Sequence, residues 1–362
     1  MIGRRKKSFY ALYELLRGVE ADKGNLRRVL ELNRQILREV LLAEAAILRH
    51  KEVLRRLRLE LKIGRKSKDA ATKLRKRMAR VVGYIDGYYK QIYIWKCFGD
   101  GLAFAYLDKF AVKHAFFETK SYEVKPGAGM LTGKAGLVYE LASLLSAIEH
   151  DVPAVLCDIT NTLRYGDICL LGGSDPCLLE VKSSTKLNQR GKRQALSLKT
   201  LTDFLETDLA ENFRGLREVR RSVVDIPERT HGEALNRCIE EAERSGYAVV
   251  RPEPDLTYIA VYGSSEPIET IIPNDLKGRQ IFFMLNTEKN SGTWAIYYPF
   301  TLSIRAAKHL HDFVVGDLFL IVAFDIAHCA RRCSARAGRS FIARMHSMAS
   351  SSITWLPVRG SA

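Results

Sequence analysis

The sequence predicts an α/β protein that begins with a long α-helical arm. Three observations lead to this fold class. Apolar residues recur at heptad spacing from Leu26 to Leu61, short apolar strands follow one another between residues 154 and 182, and a helical pattern stands on each side of those strands. With 362 residues and a hydrophobic fraction of 47%, the chain is long and apolar enough to bury cores in two or three domains.

The arm is predicted to be a coiled-coil hairpin. One heptad core position carries Leu26, Asn33, Val40, Ile47, Leu54 and Leu61, and the other carries Val29, Ile36, Ala43, His50 and Leu57. In such a coiled coil, Asn33 at a core position would set the register. Gly64 and Ser67 interrupt the pattern and a second helix starts at Lys68, so two antiparallel helices are expected.

Basic residues concentrate in this arm. The formal net charge of the chain is +16, and residues 1–80 hold 24 Lys and Arg against 9 Asp and Glu, a balance of +15. The asymmetry favours a polyanionic partner at the arm, although formal charge does not separate DNA, RNA and an acidic protein. A solvated helix face is the alternative. The candidate nucleic-acid contacts of the arm are Arg55, Arg56, Arg65, Lys66, Arg75 and Arg77.

Aromatic residues are dense between residues 84 and 117, and several recur at three- or four-residue spacing. This spacing predicts a helical core that joins the arm to the following domain. Stacking of these rings on nucleic-acid bases is the alternative.

The residues that indicate chemistry lie on a predicted hairpin. Asp167 starts one strand, and Glu180 and Lys182 lie two apart on the next, after a Gly-Gly-Ser-Asp-Pro turn. Alternation along a strand puts Glu180 and Lys182 on one face, beside Asp167. Carboxylates held together are costly to desolvate without a cation, and oxygen ligands suit Mg²⁺ or Mn²⁺. The lysine would orient a water that attacks a phosphodiester. An ordinary salt bridge on a solvated face is the alternative.

Helices are predicted on both sides of the strands. Residues 134–148 have helical spacing, with Glu140 beside an apolar stripe that would carry it toward the sheet; an exposed helix acid is the alternative. Residues 154–160 predict a further strand, and a basic run after residue 185 leads into a helix that continues to about residue 208. A later strand is predicted at residues 257–262.

With this order of elements and these residues, the stretch from about 131 to 262 resembles the PD-(D/E)XK nuclease superfamily, which has a restriction-endonuclease-like αβββαβ core. The resemblance implies that Glu140, Asp167, Glu180 and the main-chain carbonyl of Val181 hold Mg²⁺ or Mn²⁺, and that Lys182 positions the attacking water. It also implies a glutamine or arginine on the following helix. The candidates are Gln189, Arg193 and Gln194, with Arg193 and Gln194 preferred. Gly166 stands where the family often has proline.

Four regions are predicted along the chain. Residues 1–82 form the basic helical arm, and residues 83–130 form the aromatic connector. Residues 131–265 form the nuclease core, with an insertion at about 209–252. Residues 266–362 extend the core with strand-like segments at 268–272, 280–285 and 294–304, a helix near 306–313 and a strand at 318–324.

The expected activity is metal-dependent hydrolysis of phosphodiester bonds. DNA is preferred over RNA because most relatives with this core cut DNA, and a bacterial anti-phage defence role fits a nuclease with an added arm. The alternative is an inactive nuclease-fold protein that binds nucleic acid or assembles through its coiled coil, as a homodimer or with a partner protein. No apolar run approaches the length of about 18 residues that a membrane span needs. Seven scattered cysteines predict reduced thiols and a cytoplasmic location.

Overall fold

The computed structural model describes residues 2–64, 66–182, 189–222, 230–263, 268–276, 281–291 and 298–325. These residues form a mixed α/β protein with a helical N-terminal region and small antiparallel sheets. The mixed α/β class and the helical N-terminal region were predicted from the sequence. Residue contacts divide the chain into two units. One comprises Met1–Thr230 with Thr287–Gly316, and the other comprises His231–Asn286 with Asp317–Ala362. None of the helices in the described part of the chain is both long enough and apolar enough to cross a membrane.

The first unit begins with helices. They are α1 (Lys6–Ala21), α2 (Leu26–Lys62), α3 (Lys68–Tyr106), α4 (Lys109–His114) and α5 (Leu137–Glu149). The long helices α2 and α3 form a hairpin whose shared core contains Ile47, Leu54 and Leu57 from α2 and Leu74, Val81 and Ile85 from α3. Asn25 is the N-cap of α2 and Ser67 is the N-cap of α3, and each side-chain oxygen accepts a main-chain N–H of the first turn.

Asn33 was predicted to set the register of a coiled coil, but in the structure it has a different role. Its side chain is fully buried against the first strand of the site, where its amide nitrogen donates to the Ala154 carbonyl (3.1 Å) and its oxygen accepts the Leu156 N–H (3.1 Å). A buried amide whose nitrogen and oxygen are both hydrogen-bonded fixes the position of the group that it contacts. Here the partner is strand main chain, so this polar residue attaches α2 to the sheet.

Helix α3 continues without interruption across residues 82 and 83, where the sequence predicted a boundary between arm and connector. Its first half packs on α2, and its second half buries Trp95 and Phe98, which contact Phe9 of α1. The predicted aromatic core is present at these two side chains, whereas Tyr84 and Tyr89 are exposed.

The site is built on a three-stranded antiparallel sheet. Its strands are β1 (Ala154–Leu156), β2 (Ile168–Leu170) and β3 (Cys177–Leu179), in the order β1-β2-β3, followed by α6 (Gln189–Thr207). The predicted β2–β3 hairpin and the helix–strand–strand–strand–helix order are both present. Cys177 is exposed on β3, and Glu180 and Lys182 follow this strand, whereas the sequence predicted them within it.

The first unit also contains a hairpin and short C-terminal helices. The hairpin strands are β4 (Leu209–Phe213) and β5 (Leu216–Arg220), and the helices are α10 (Phe300–Ser303) and α11 (Ala307–Val315). Residues 300–303 were predicted as strand. They form a helical turn instead, and Pro299, with an extended backbone, is its N-cap.

The second unit contains the predicted later strand, but in a separate sheet. Its elements are α7 (Gly232–Ser245), β6 (Tyr247–Glu253), β7 (Leu256–Tyr262), α8 (Ile268–Ile271), β8 (Ile281–Met284) and β9 (Leu318–Phe324). Helix α9 (Leu285–Ser291) follows β8, and its residues from Thr287 onward belong to the first unit. The strand order is β6-β7-β9-β8, so β7 pairs with β6 and β9 and not with β1–β3. Residues 268–271 are helical, although the sequence predicted a strand at 268–272. The prediction was wrong because a short apolar run does not distinguish strand from helix.

Candidate functional site

Asp167 is held at the start of β2 by close main-chain contacts. Gly166 adopts a left-handed conformation (φ +68°), and a Cβ on it would lie 2.6 Å from the Leu179 carbonyl oxygen. The Asp167 N–H donates to that same oxygen at 2.7 Å. One carboxylate oxygen of Asp167 then accepts the Val181 N–H at 2.9 Å. Glycine therefore precedes Asp167 because the two strands approach too closely there for a side chain.

Glu140 brings a second carboxylate from the first turn of α5. It is 2% exposed, and Gly136 leaves room for it, since a Cβ there would lie 3.2 Å from its Oε1. Burial raises the pKa of Glu140, and the charge of Asp167 adds to this effect. Its Oε2 is buried and has no hydrogen-bond partner among the described residues. A buried carboxylate oxygen without a donor is costly, and this cost is relieved if a cation binds.

The ammonium of Lys134 lies at the centre of these acids. Its Nζ contacts Glu140 Oε1 at 2.7 Å, Asp158 Oδ2 at 2.7 Å and Asp167 Oδ1 at 3.1 Å. Burial opposes the charged form, but hydrogen bonds to Asp158 and Glu140 outweigh it and raise the pKa of Lys134. We define the carboxylate cluster as Glu140, Asp158 and Asp167.

The main chain around Lys134 is fixed by α2. Glu44 is buried there, and its carboxylate accepts the N–H groups of Leu131 (3.0 Å) and Thr132 (2.7 Å) and the Thr132 hydroxyl (2.8 Å). The Lys134 N–H in turn donates to the Leu131 carbonyl at 3.0 Å. The segment that carries the central ammonium is thus bonded to the long helix.

Asp158 and Lys134 were not among the site residues predicted from the sequence. Asp158 lies in a 3-10 turn directly after β1, and the N–H of the preceding Cys157 donates to the Asp167 carbonyl at 2.9 Å. An acid that directly follows a buried apolar strand was the available signal for Asp158. The signal for Lys134 was weaker, because a lysine just before a helix is common on protein surfaces.

Helix α3 holds the connection between β1 and β2. Asp100 is buried and accepts the N–H groups of Asn161 (2.8 Å) and Thr162 (2.9 Å), together with the Asn161 side-chain amide (2.8 Å). Its neighbour Gly99 allows the helix to approach the loop, since a Cβ there would lie 2.2 Å from the Ile159 carbonyl oxygen. The position of Asp158 therefore depends on α3.

The cluster faces a cavity of about 620 Å³. Its acidic lining residues are Glu118, Glu140, Asp158, Asp167 and Glu180, and its basic ones are Lys96, Lys125, Lys134 and Arg164. Gln194 and Leu198 of α6 also line it, so the predicted glutamine does lie at the site. The glycine-rich segment 126–130 borders the same cavity. Burial lowers the pKa of Lys96, an effect that Asp158 partly offsets.

The other predicted site residues divide between the cavity and the surface. Glu180 and Val181 line the cavity, and burial together with the Asp167 charge raises the pKa of Glu180. Lys182 is exposed and does not line the cavity. Gln189 and Arg193 are likewise exposed on α6, outside the cavity lining.

The predicted nucleic-acid contacts of the arm are exposed wherever they are described. They are Arg55, Arg56, Lys66, Arg75 and Arg77, and Arg65 lies outside the described residues. Arg55 and Arg56 both bond to Glu52, at 2.8 and 2.9 Å, and these hydrogen bonds lower the pKa of Glu52 to about 2.

The donors at the cavity fit a hard divalent cation. They are carboxylate oxygens, which Mg²⁺ and Mn²⁺ prefer, and one of them is buried without a donor. Across the described ranges, no group of three or more His, Cys, Asp or Glu side chains is already spaced as a metal-binding set. The three acids of the carboxylate cluster converge on the Lys134 ammonium instead.

Comparison with known proteins gives no relative. The chain matches no protein-family model, no curated protein and no solved structure. The features of the chain that bear on function are the side chains that meet at the cavity and the charge of the helical arm.

Proposed function

We propose that this protein is a metal-dependent nuclease with a PD-(D/E)XK-like core, and that its substrate is DNA. One observation carries the proposal. Acids from α5, β2 and the end of β3, together with Gln194 of α6, line a single cavity in the order that this core has along the chain. That arrangement links side chains that are far apart in sequence. A chance match of the short acidic motif alone would not require it.

The residues that would hold the metal are Glu140, Asp167 and Glu180, with the main-chain carbonyl of Val181. The bound ion would offset the charge that builds on the phosphoryl group. The Val181 N–H donates to Asp167 Oδ2 and keeps the second oxygen of that carboxylate in a fixed orientation. Lys182 directly follows Val181, and in the proposed reaction it positions the attacking water.

The basic residues of the cavity would hold the phosphates that flank the cut. Lys96, Lys125 and Arg164 line the cavity beside the acids. The Lys125 ammonium lies 4.4 Å from the centre of the Tyr165 ring, and the Arg164 guanidinium lies 4.2 Å from that of Phe116. Cation–π contacts of this kind hold a charge in place without neutralising it. The Arg164 guanidinium is also held by hydrogen bonds to the carbonyls of Asn161 and Lys125, which are uncharged and leave its positive charge in the cavity.

The helical arm would bind the duplex without reading its sequence. Its described basic candidates are exposed, and Arg75 and Arg77 lie on the same helix, α3, that holds the β1–β2 connection through Asp100. Contacts between exposed arginines and phosphates give affinity that falls steeply with salt.

A second candidate function is nucleic-acid binding or assembly through the arm, without catalysis. The observation that favours it is the exposed Lys182 outside the cavity lining. In that case the carboxylate cluster would be a structural ion-pair network around Lys134, and the arm would provide the activity.

The test is a cleavage assay with the purified full-length protein. Plasmid, linear duplex, single-stranded DNA and RNA are incubated with Mg²⁺, Mn²⁺ or chelator, alongside Asp167→Ala and Lys182→Ala. We expect metal-dependent cutting of DNA that falls by at least about 10²-fold in each variant, the scale on which one positioned catalytic group acts. The exposed acid Asp203 of α6, changed to Asn, is the control and should cut normally.

The outcomes separate the two candidates. Cutting that survives both substitutions would exclude the proposed site. A wild-type protein that binds duplex DNA but neither cuts it nor binds Mn²⁺ would favour the binding protein. Cutting of RNA but not DNA would support the nuclease function and identify RNA as the substrate.

A further inference from the structure

We infer that Lys134 is a resident cation of the carboxylate cluster, with which a divalent metal must compete for Glu140 and Asp167. This inference rests on the proposed function for the identity of the metal site. It adds that the chain itself carries the competitor, and that Lys134 therefore sets the metal affinity.

The first support is the contact geometry. An ammonium has three N–H donors, and the Lys134 ammonium contacts three carboxylates, each from a different part of the fold. Lys134 donates hydrogen bonds to Asp158 and Asp167 and forms an ion pair with Glu140, so it offsets part of the charge of the cluster and holds the acids together. A divalent ion would need the same Glu140 and Asp167 oxygens.

The second support is the buried oxygen that Lys134 leaves without a partner. Glu140 Oε2 has no donor among the described residues, although the carboxylate is 2% exposed. One ammonium satisfies only Oε1 of this residue. A cation with more coordination positions would also reach Oε2, so the cluster offers more to a metal than the lysine uses.

The third support is that the position of Lys134 is built into the fold. Glu44 bonds the two residues before the turn, and Gly133 provides the left-handed conformation (φ +83°) that directs the chain into Lys134. The side chain is 29% exposed, so one side of it is open to the cavity. The main chain of Lys134 is therefore fixed, while its ammonium has room to move into the cavity, away from Glu140 and Asp167.

Asp158 completes the arrangement. It is not part of the acidic motif of the proposed nuclease, yet it contacts Lys134 as closely as Glu140 does, at 2.7 Å. We expect Lys134 to keep Asp158 as its partner when a metal takes the other two acids. The lysine then remains neutralised and does not repel the ion at contact distance.

The test compares Mn²⁺ binding to the full chain for wild type, Lys134→Met and Lys199→Met, by calorimetry and by the electron paramagnetic resonance of free Mn²⁺. Removing the competitor should lower the Mn²⁺ dissociation constant about tenfold, which corresponds to about 1.4 kcal/mol. Lys199→Met removes the same charge from the exposed face of α6, outside the cavity lining. It should change the constant by less than about twofold, on the scale of a screened exposed charge.

Two further measurements keep the inference testable if Lys134→Met folds poorly. In chelator this variant should melt at a lower temperature than wild type, and Mn²⁺ should restore more of its stability, because the cluster then lacks any cation. In wild type, acylation of lysines read by mass spectrometry should show Lys134 becoming more reactive when Mn²⁺ is added, with Lys199 on the exposed face of α6 unchanged.

The results distinguish this inference from the proposed function. Equal Mn²⁺ affinity in wild type and Lys134→Met, or a Lys134 reactivity that Mn²⁺ does not change, would show that Lys134 does not compete with the metal. Either result would leave the proposed nuclease function unaffected. If Lys134→Met binds Mn²⁺ more tightly than wild type but no form of the protein cleaves DNA, the competition of Lys134 with the metal is supported and the nuclease function is rejected. Absence of Mn²⁺ binding in both forms would reject both.

Discussion

The helical hairpin and the carboxylate cluster use charge in opposite ways. On α2 and the first half of α3 the basic residues are exposed and spread along the helices, and Glu52 is shared by two neighbouring arginines. In the cluster, acids from separate elements are brought inward around one ammonium. The pKa of Glu52 is lowered to about 2 by hydrogen bonds, whereas burial raises the pKa of Glu140.

This difference indicates what each region can bind. Spread and exposed charge costs little in folding and suits a long polyanion, whose phosphates are also spread. Converging, buried charge is costly in folding, and such clusters are typical of sites where a small ion or a reaction is handled. The hairpin should therefore tolerate substitution, and the cluster should not.

The largest expected difference concerns one glycine in each region. Gly166→Ala should destabilise the protein by about 2–4 kcal/mol, since it combines a left-handed alanine with a Cβ that overlaps the strand beside it. Gly83→Ala in α3 should instead stabilise it by roughly 0.5–1 kcal/mol, because this helical position has open space around it. Urea denaturation measures both changes.

A matched control lies at the border of the same cavity. A Cβ added to Gly127 would have no atom within 4 Å, and the backbone of this residue is not left-handed. Gly127→Ala should therefore leave the free energy of unfolding nearly unchanged. If Gly166→Ala proved as mild as Gly127→Ala, the close approach of Gly166 to Leu179 would not be what positions Asp167.

The next effect separates DNA binding from cleavage. Changing both Arg75 and Arg77 to Gln should weaken binding to duplex DNA and reduce the slope of log K against log salt by about 1 for each phosphate that is no longer neutralised. The cleavage rate at saturating DNA should stay the same, because neither arginine lines the cavity. Binding as a function of salt concentration, with single-turnover cleavage, measures the two effects.

Lys199→Gln on α6 serves as the control for the arm. This lysine is exposed and is paired with Asp203 away from the hairpin, so its removal should leave the salt dependence unchanged. An equal effect of Lys199→Gln would indicate that the net charge of the chain, and not the hairpin surface, binds the DNA.

The smallest effect is a difference in pH dependence. The lowered pKa of Glu52 gives stability that is present above about 4.5 and is lost as the pH falls toward about 2. The raised pKa of Glu180 has the opposite sign: it gives stability that is present below 4.5 and is lost as the pH rises through the raised value. Carboxyl-carbon NMR titration, assigned with Glu52→Gln and Glu180→Gln, should show Glu180 titrating at the higher pH. The reverse order would contradict the contrast between the two regions.

The sequence predicted what depends on local pattern. The hairpin of α2 and α3 and the β2–β3 hairpin follow from periodicity and turn residues. Glu140, Asp167 and Glu180 were selected from helical spacing and strand alternation and do line one cavity, whereas Gln194, which also lines it, was expected only from the resemblance to the nuclease family. Two features were missed because they depend on contacts distant in sequence. One is the pairing of β7 with β9, and the other is the contact of Asp158 with Lys134. No local pattern specifies which partner a strand or an ammonium will find.

The continuity of α3 has a consequence for how this protein can be divided. The helix runs for 39 residues, roughly 60 Å, from the basic end of the hairpin to Tyr106, and it includes Asp100, which holds the β1–β2 connection. The arm is therefore not a detachable module, because a cut at residue 82 would pass through the middle of a helix and not through a linker. If the arm were moved to another protein, the core left behind would lose Asp100 and would need a new support for the loop that carries Asp158. The same holds for a related protein that has the core without the arm.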